Sequence, residues 1–277
     1  MIGAILSDGA RLDFIDAGTG LPVVFLHPTP LDREFWRPLT KELAGIRAII
    51  PDLRGHGASE LGSSLVAGGF QLVPDAPVLT MAQLATDVLA LLDHLRVPKA
   101  VFTGCSIGGY VMLELWRQAP RRMHGLVFIC SKPQPDAETN LVRRSEIIAR
   151  AQAEGVTALF DGMAQNLVGE TSRRERPELV AEVRAHMTLT PEALIAVQAG
   201  LAARPDSVPT VAAINAPVLA IAGAEDSSVT PAEMEAFRAA PGGCEFHVLP
   251  GAGHFAAYEQ PRKVAALMAP WLRRFEA

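Results

Sequence analysis

Residues 100–116 read Ala-Val-Phe-Thr-Gly-Cys-Ser-Ile-Gly-Gly-Tyr-Val-Met-Leu-Glu-Leu-Trp, and this stretch decides the fold. It begins with the continuous apolar, β-rich character of a buried strand and ends in a pattern typical of a helix. The Gly-x-Ser-x-Gly motif between the two predicts a sharp strand-to-helix turn that exposes the hydroxyl of Ser106. Gly104 and Gly108 provide the space that such a turn needs, and Cys105 is expected to point into the core. This setting favours a nucleophilic serine over a glycine-rich turn with an idle serine.

Strand-like runs recur on both sides of this turn. Each run is short and apolar, and helical patterns lie between several of them. Residues 80–83 form a capping box ahead of an amphipathic helix, and residues 230–233 open another helix with proline at its first position. Strands that alternate with helices predict a mostly parallel, doubly wound α/β sheet. The runs comprise residues 23–26, 48–50, 100–103, 126–129, 218–221 and 246–249.

The alternation of strands and helices is interrupted between residues 131 and 215, where no convincing strand occurs. An all-helical insertion between two strands of a parallel sheet would lie over its carboxyl end, where ligands bind. The sequence therefore predicts a core of residues 1–130 and 216–277 and a helical cap of residues 131–215. The alternative is a peripheral decoration without functional contacts. The helix-like segments are residues 139–153, 156–167, 176–187 and 191–203.

Two further segments have local turn or loop signals. Residues 3–6 and 12–15 flank an Asp8-Gly9 turn, so the chain is expected to open with an antiparallel hairpin. Residues 61–78 are rich in glycine and proline, and we predict a loop there.

Composition excludes several classes of function. The chain has 277 residues and a net charge of -5, and it contains no run of five like charges, so nucleic acid is not expected as a partner. The three cysteines and seven histidines lack the spacing of a metal site or a disulfide framework, and no glycine-rich phosphate-binding motif occurs. We therefore expect neither a metal nor a cofactor. No secretory signal or apolar span is visible, which predicts a cytoplasmic protein that does not bind membranes.

A serine hydroxyl needs a base, and the base needs an orienting acid. His254 follows the last predicted strand in a glycine-rich loop that could bring its side chain back toward Ser106. Two adjacent carboxylates, Glu225 and Asp226, follow the strand at residues 218–221. The order serine, carboxylate, histidine along the chain is that of a hydrolytic triad.

Acyl transfer also needs N–H donors for the developing oxyanion. The backbone N–H of Ile107, directly after the serine, is one expected donor. The second should come from the His27-Pro28-Thr29-Pro30 segment, in which the prolines have no N–H. We choose Thr29 as the second donor. His27 is interpreted as a structural histidine that holds this loop, in preference to a second base.

Other polar residues are expected to play structural roles. Asp52 and Arg54 bracket the Gly-rich turn at residues 52–57 and are predicted to brace it through hydrogen bonds to the backbone. His94 and His124 are assigned no role. Apolar residues at helical spacing in the cap are predicted to pack, with direct contact to substrate as the alternative. The cap residues concerned are Phe160, Met163 and Met187.

Several of the motifs described above strongly resemble those of the α/β-hydrolase superfamily, and the resemblance covers essentially the whole chain. They are the segments at residues 27–30, 52–57, 104–109 and 251–254, together with Asp226. It implies a mostly parallel eight-stranded sheet flanked by helices, a cap inserted after the sixth strand, and Asp226 rather than Glu225 as the acid of the triad. The family motif His-Gly-x-Pro is altered here, because the second position is Pro28. A serine at the apex of the strand-to-helix turn at residues 104–108, which we call the elbow, in place of aspartate, distinguishes the chain from haloalkane dehalogenases and epoxide hydrolases. The elbow and single cap look like those of esterases, cofactor-free perhydrolases and notably 3-oxoadipate enol-lactonases.

The resemblance and the residues together predict a serine hydrolase of small carboxylic esters or lactones. Ser106 would be the nucleophile, His254 the base and Asp226 the orienting acid, with Thr29 and Ile107 as oxyanion donors. One alternative keeps this triad in a perhydrolase or acyltransferase, and another is a small-molecule receptor with a hydrolase fold. The expected partner is a small-molecule ester or lactone in a mainly apolar pocket. Whether the chain forms a homo-oligomer is not determined by the sequence.

Overall fold

The computed structural model describes residues 3–67 and 76–275. Its centre is a seven-stranded sheet. The strands of this sheet are β3 Phe14–Gly18, β4 Leu21–Leu26, β5 Ile46–Pro51, β8 Ala100–Cys105, β9 Met123–Ile129, β10 Val218–Gly223 and β11 Cys244–Leu249. Their order is β11-β10-β9-β8-β4-β5-β3, and every neighbouring pair is parallel except β3 with β5 at one edge. The mostly parallel α/β sheet predicted from the sequence is thus confirmed.

The remaining four strands form two small antiparallel sheets. One contains β1 Ala4–Ile5 and β2 Arg11–Leu12, and the other contains β6 Val66–Ala67 and β7 Pro77–Val78. Residues 61–78, predicted as a loop, therefore include two short strands, and residues 68–75 of that segment lie outside the described residues.

The resemblance implied eight strands in the main sheet, but within the described residues this sheet has seven. The predicted strand at residues 12–15 is divided at Asp13, whose N–H donates to Ser59 Oγ at 2.8 Å and whose carbonyl accepts from Asp52 at 2.9 Å. Arg11 and Leu12 pair with Ile5 and Ala4 in the hairpin, whereas Phe14–Gly18 pairs with β5. As a result, the long helical segment follows the fifth strand of the main sheet, not the sixth.

Helices cover the sheet and fill the interval between β9 and β10. Two of them, α2 Met81–His94 and α3 Ile107–Gln118, pack against each other. The first begins at the predicted capping box and the second directly after Ser106. Residues 131–215, which we call the helical insertion, contain six helices and no strand, as predicted. The helices are α1 Arg37–Thr40, α2 Met81–His94, α3 Ile107–Gln118, α4 Glu138–Glu154, α5 Thr157–Leu167, α6 Glu170–Glu175, α7 Glu178–Ala185, α8 Pro191–Ala202, α9 Val208–Val211, α10 Pro231–Met234, α11 Ala256–Glu259 and α12 Pro261–Leu272.

The core lies on both faces of the central strands. Every residue of β8 and β10 is buried, which explains why neither strand has the apolar–polar alternation of a half-exposed strand. Cys105, at the end of β8, is fully buried as predicted, and burial raises the pKa of its thiol. In residues 3–67 and 76–275, no helix has the length and apolar character needed to cross a membrane.

Candidate active site

Ser106 occupies the turn between β8 and α3 in a backbone conformation that few residues adopt. Its φ is 52° and its ψ is -118°, which is a strained combination for a residue with a side chain. Gly104 and Gly108 flank this turn, and a side chain at either position would clash with neighbouring backbone atoms. A Cβ on Gly104 would lie 2.5 Å from the carbonyl carbon of Gly108, and one on Gly108 would lie 2.1 Å from the carbonyl oxygen of Leu26. The strained turn holds Ser106 at the carboxyl end of the sheet, where it lines a cavity.

His254 lines the same cavity and lies in the loop after β11. Its side chain is 4% exposed, and its Nδ1 lies 2.8 Å from Oδ2 of Asp226. The other oxygen of Asp226 accepts the N–H groups of Ser228 at 2.8 Å and Val229 at 3.0 Å. With Nδ1–H donating its hydrogen bond to this carboxylate, Nε2 is the ring nitrogen left to take up a proton.

Glu225 points elsewhere, although it precedes Asp226 directly. Its carboxylate accepts the N–H of Thr171 at 2.8 Å and the Thr171 hydroxyl at 2.6 Å. The hydroxyl hydrogen bond is the main reason that the pKa of Glu225 lies below its ordinary value. Of the two adjacent carboxylates, Asp226 contacts the histidine and Glu225 holds the start of α6.

The two expected oxyanion donors, Ile107 and Thr29, come from different segments of the chain. Ile107 is the first residue of α3, and Thr29 follows β4 and lines the cavity. Within the described residues, neither N–H donates to another protein group, and Thr29 lines the cavity whereas Ile107 is fully buried and is not part of its wall. The hydroxyl of Thr29 lies 3.0 Å from Nε2 of His56, and the Thr29–Pro30 peptide is cis.

His27 has no nitrogen left for catalysis. Its Nε2 accepts the N–H of Leu53 at 2.9 Å, and its Nδ1 donates to the carbonyl of Pro28 at 3.0 Å. His56 is held in the same way, because its Nδ1 donates to the carbonyl of Arg54 at 3.0 Å. Both rings are buried and brace the loop around Thr29, which is the structural role expected of His27.

Burial of these two imidazoles predicts a pH-dependent stability. It lowers the pKa of His27 to about 4 and that of His56 to about 3. In the unfolded chain the pKa of histidine is about 6.5, so below that pH the unfolded state binds more protons than the folded state does. Stability is therefore full above about pH 6.5 and is lost as the pH falls. We expect urea denaturation to show a decrease of about 3 kcal/mol in the free energy of unfolding between about pH 6.5 and about pH 5.

An exposed histidine provides the control for this measurement. His94→Asn should leave the pH dependence unchanged, because His94 is exposed at the end of α2. His186 does not interfere in this range, because Asp32 raises its pKa and its contribution changes above about pH 6.5. A free energy of unfolding that stays constant over the interval would contradict the burial of two neutral imidazoles.

The turn at residues 52–57 is braced in two different ways. Asp52 accepts the N–H groups of Arg33 at 2.7 Å and Ala58 at 2.9 Å, as predicted for a residue that braces the turn. Arg54 donates to the carbonyl of Leu61 at 3.0 Å, but its fully buried guanidinium mainly pairs with Asp8 and Asp87, each at 2.7 Å. It ties the N-terminal hairpin to α2, a role that residue type alone did not suggest.

Glu259 is a buried residue of the site that the sequence analysis missed. Its carboxylate accepts three backbone N–H groups: those of Gly253 at 3.0 Å and Phe255 at 3.1 Å, on both sides of His254, and that of Gly169 at 3.1 Å. The N–H of His254 itself donates to the carbonyl of Leu167 at 2.9 Å. The helical insertion and the histidine loop are therefore joined at Glu259. A glycine-rich loop whose N–H groups need acceptors was the signal available in the sequence.

We expect Glu259→Gln to weaken both the fold and the reaction. Glutamine can accept with one oxygen only, and its amide group would face a backbone N–H, so at least one charge-assisted hydrogen bond is lost. The free energy of unfolding should fall by about 2–4 kcal/mol. The kcat for an ester should fall by about tenfold or more, with a smaller change in KM, because the alignment of His254 is loosened. Urea denaturation and steady-state kinetics measure the two effects.

The matched control for Glu259→Gln is Glu235→Gln. Glu235 is 57% exposed and pairs with Arg238 on its own helical turn, so its substitution should change neither quantity appreciably. Equal effects of the two substitutions would contradict the role of Glu259 in holding the histidine loop.

The cavity that Ser106 and His254 share has a volume of about 120 Å³. Much of its remaining wall comes from the helical insertion, and this wall is more polar than the apolar pocket expected from the sequence. Met163 lines the cavity, whereas Phe160 and Met187 are buried elsewhere in the insertion. The polar and charged lining residues from the insertion are Lys132, Asp136, Asn140, Arg143, Arg144, Asn166 and Gln198.

Comparisons with known proteins agree with this architecture. The family model described as "Alpha/beta hydrolase family" matches residues 23–267. The chain is 27% identical over 230 residues to 3-oxoadipate enol-lactonase 2 of Acinetobacter baylyi, covering 81% of this chain and 78% of that protein. It is similar to the structure of a thermophilic esterase from Thermogutta terrifontis, with 34% identity, a TM-score of 0.88, and coverage of 100% and 98% of the two chains. The structure of Est816, an N-acyl homoserine lactone degrading enzyme, has 29% identity and a TM-score of 0.77, with coverage of 96% and 99%.

Proposed function

This chain belongs to the alpha/beta hydrolase family and is a carboxylic ester hydrolase, and on that premise we propose that it cleaves small esters or lactones through an acyl-enzyme on Ser106. One observation carries the proposal: the strained Ser106 and the Asp226-bound His254 line the same cavity. A serine on a strained turn, a histidine with a free Nε2 and a buried carboxylate are the parts that nucleophilic acyl transfer requires.

In the proposed mechanism, Nε2 of His254 accepts the proton of the Ser106 hydroxyl as its oxygen attacks the ester carbonyl. Asp226 stabilises the resulting imidazolium through the Nδ1 hydrogen bond. The N–H groups of Thr29 and Ile107 donate to the oxyanion. His254 then protonates the leaving alkoxide, and water, deprotonated by the same nitrogen, releases the acyl group as a carboxylic acid.

The helical insertion would act as a cap in this reaction. Residues 131–215 contribute side chains to the cavity wall and lie against the histidine loop through Leu167 and Gly169. We propose that they shape the substrate site over a catalytic core of residues 1–130 and 216–277. The expected substrate is a small-molecule ester or lactone, because the chain is similar to an esterase and to a lactone-degrading enzyme.

A pre-steady-state assay with p-nitrophenyl esters of increasing acyl length tests the proposal. We expect a burst of p-nitrophenolate followed by steady turnover, and a trapped acyl group on the peptide that contains Ser106 in mass spectrometry. Cys105→Ala is the matched control, because this neighbouring nucleophile is buried with a raised pKa and should not be needed for the burst. Loss of the burst in that variant, or no burst and no turnover with any ester, would contradict the proposal. The second result would favour a binding protein with a hydrolase fold.

A further inference from the structure

The wall that the helical insertion contributes to the cavity is cationic. Three of its lining side chains, Lys132, Arg143 and Arg144, carry a positive charge, and only Asp136 carries a negative one. The chain as a whole has a net charge of -5, so this local excess is opposite in sign to the rest of the protein.

Asp136 cannot neutralise the arginines around it. Its side chain is 2% exposed and accepts from Nε of Arg144 and from Arg204, the latter at 2.8 Å. Arg204 is itself buried, and its guanidinium lies 4.4 Å from the ring centre of Tyr110, another residue of the cavity wall. Two guanidinium groups thus share one buried carboxylate. The cluster retains a positive charge in a place with little access to solvent.

The other two cations differ in their partners. Lys132 is neutralised by Glu233, whose Oε1 lies 2.5 Å from its Nζ. Arg143 lies one residue before Arg144 on α4, lines the cavity and is exposed. Among residues 3–67 and 76–275, no carboxylate lies within ion-pair distance of Arg143. Its guanidinium is therefore available at the edge of the cavity, next to a buried cluster that already has excess positive charge.

We infer that the substrate carries a carboxylate at the end remote from the scissile carbonyl and that Arg143 binds this group, with the Arg144 cluster behind it. This inference rests on the proposed function of the same cavity. A buried excess of positive charge is unfavourable until an anion enters, so a carboxylate gains more in this cavity than it would at the protein surface. The planar guanidinium also matches a carboxylate geometrically with two parallel hydrogen bonds.

The test compares pairs of p-nitrophenyl esters that differ only in charge. One member is the p-nitrophenyl monoester of adipic, pimelic or suberic acid, whose free carboxylate is too distant to attack the ester itself. The other has an isopropyl group in place of the carboxylate. We expect kcat/KM to be at least about tenfold higher for the charged member at the best chain length, mainly through a lower KM. Raising the salt concentration should reduce this ratio, because an ion pair at the edge of the cavity is screened.

Arg143→Gln tests the residue assignment. This substitution should lower the ratio of kcat/KM between charged and neutral esters by about tenfold. Arg150→Gln is the matched control on the same helix, since Arg150 is 50% exposed, pairs with Glu154 and does not line the cavity. It should leave the ratio unchanged. Both arginines are exposed enough for the variants to fold, which a thermal unfolding curve verifies.

The outcomes separate this inference from the proposed function. If both esters of every pair are hydrolysed equally well, or if Arg143→Gln and Arg150→Gln change the ratio equally, the carboxylate site is refuted while the hydrolase stands. If neither ester is hydrolysed and no acyl group is trapped on Ser106, the proposed function fails, and the inference fails with it.

Discussion

Ser106→Ala is expected to lower kcat for ester hydrolysis by about 10⁵- to 10⁶-fold while the protein remains folded. Alanine removes the nucleophile and leaves the oxyanion donors and the cavity in place, so only their contribution over the uncatalysed reaction should survive. The backbone turn does not depend on the hydroxyl, because Gly104 and Gly108 provide its space. The free energy of unfolding should therefore change by less than about 1 kcal/mol. Burst kinetics and urea denaturation of the same preparation give both values.

Ser228→Ala is the matched control for this prediction. Ser228 also lines the cavity, but its link to Asp226 is a backbone N–H that alanine retains. We expect kcat to fall by no more than about tenfold in this variant. Residual turnover of Ser106→Ala within about a hundredfold of the wild type would indicate another nucleophile and would contradict the proposed mechanism.

Local signals in the sequence were sufficient for the elbow and for most helices. The turn at Ser106 depends on a few consecutive residues, so its pattern predicts its structure. The predicted helix at residues 191–203 corresponds to α8 (Pro191–Ala202), and that at residues 139–153 corresponds to α4 (Glu138–Glu154). The segment at residues 176–187 contains α7 (Glu178–Ala185), whereas α6 before it was missed because it is only six residues long.

Long-range contacts account for what the sequence did not predict. The residues alone did not decide between Glu225 and Asp226 as the acid. In the structure Glu225 contacts Thr171, more than fifty positions earlier in the chain, whereas Asp226 contacts His254. Glu259 acts partly on Gly169 of the insertion, a contact that no local pattern contains. The cationic wall also escaped prediction, because helical periodicity does not show which face of α4 meets the cavity. The eighth strand was expected from the resemblance, and the division of the chain at Asp13 removes it.

Asp226→Asn is expected to lower kcat by about 10⁴-fold, and Glu225→Gln by less than about tenfold. Two backbone N–H groups, from Ser228 and Val229, donate to Oδ1 of Asp226 and would hold the oxygen of an asparagine in the same place. The asparagine amide group would then face Nδ1 of His254 and donate to it. The imidazole would have to carry its proton on Nε2, where it could no longer accept the proton of Ser106.

The substitution at Glu225 has no such consequence, because that carboxylate contacts Thr171 and not the histidine. A glutamine there keeps an acceptor for the Thr171 N–H, and the hydroxyl can turn to accept from the amide, so the cost is about 1 kcal/mol of stability. Steady-state kinetics of the two variants, with unfolding curves for each, measure the contrast. Because the residues are adjacent and both follow β10, a shared effect of general disruption would lower both rates alike. A large loss confined to Asp226→Asn can arise only from the contact with His254, whereas a larger loss in Glu225→Gln would overturn the assignment of the acid.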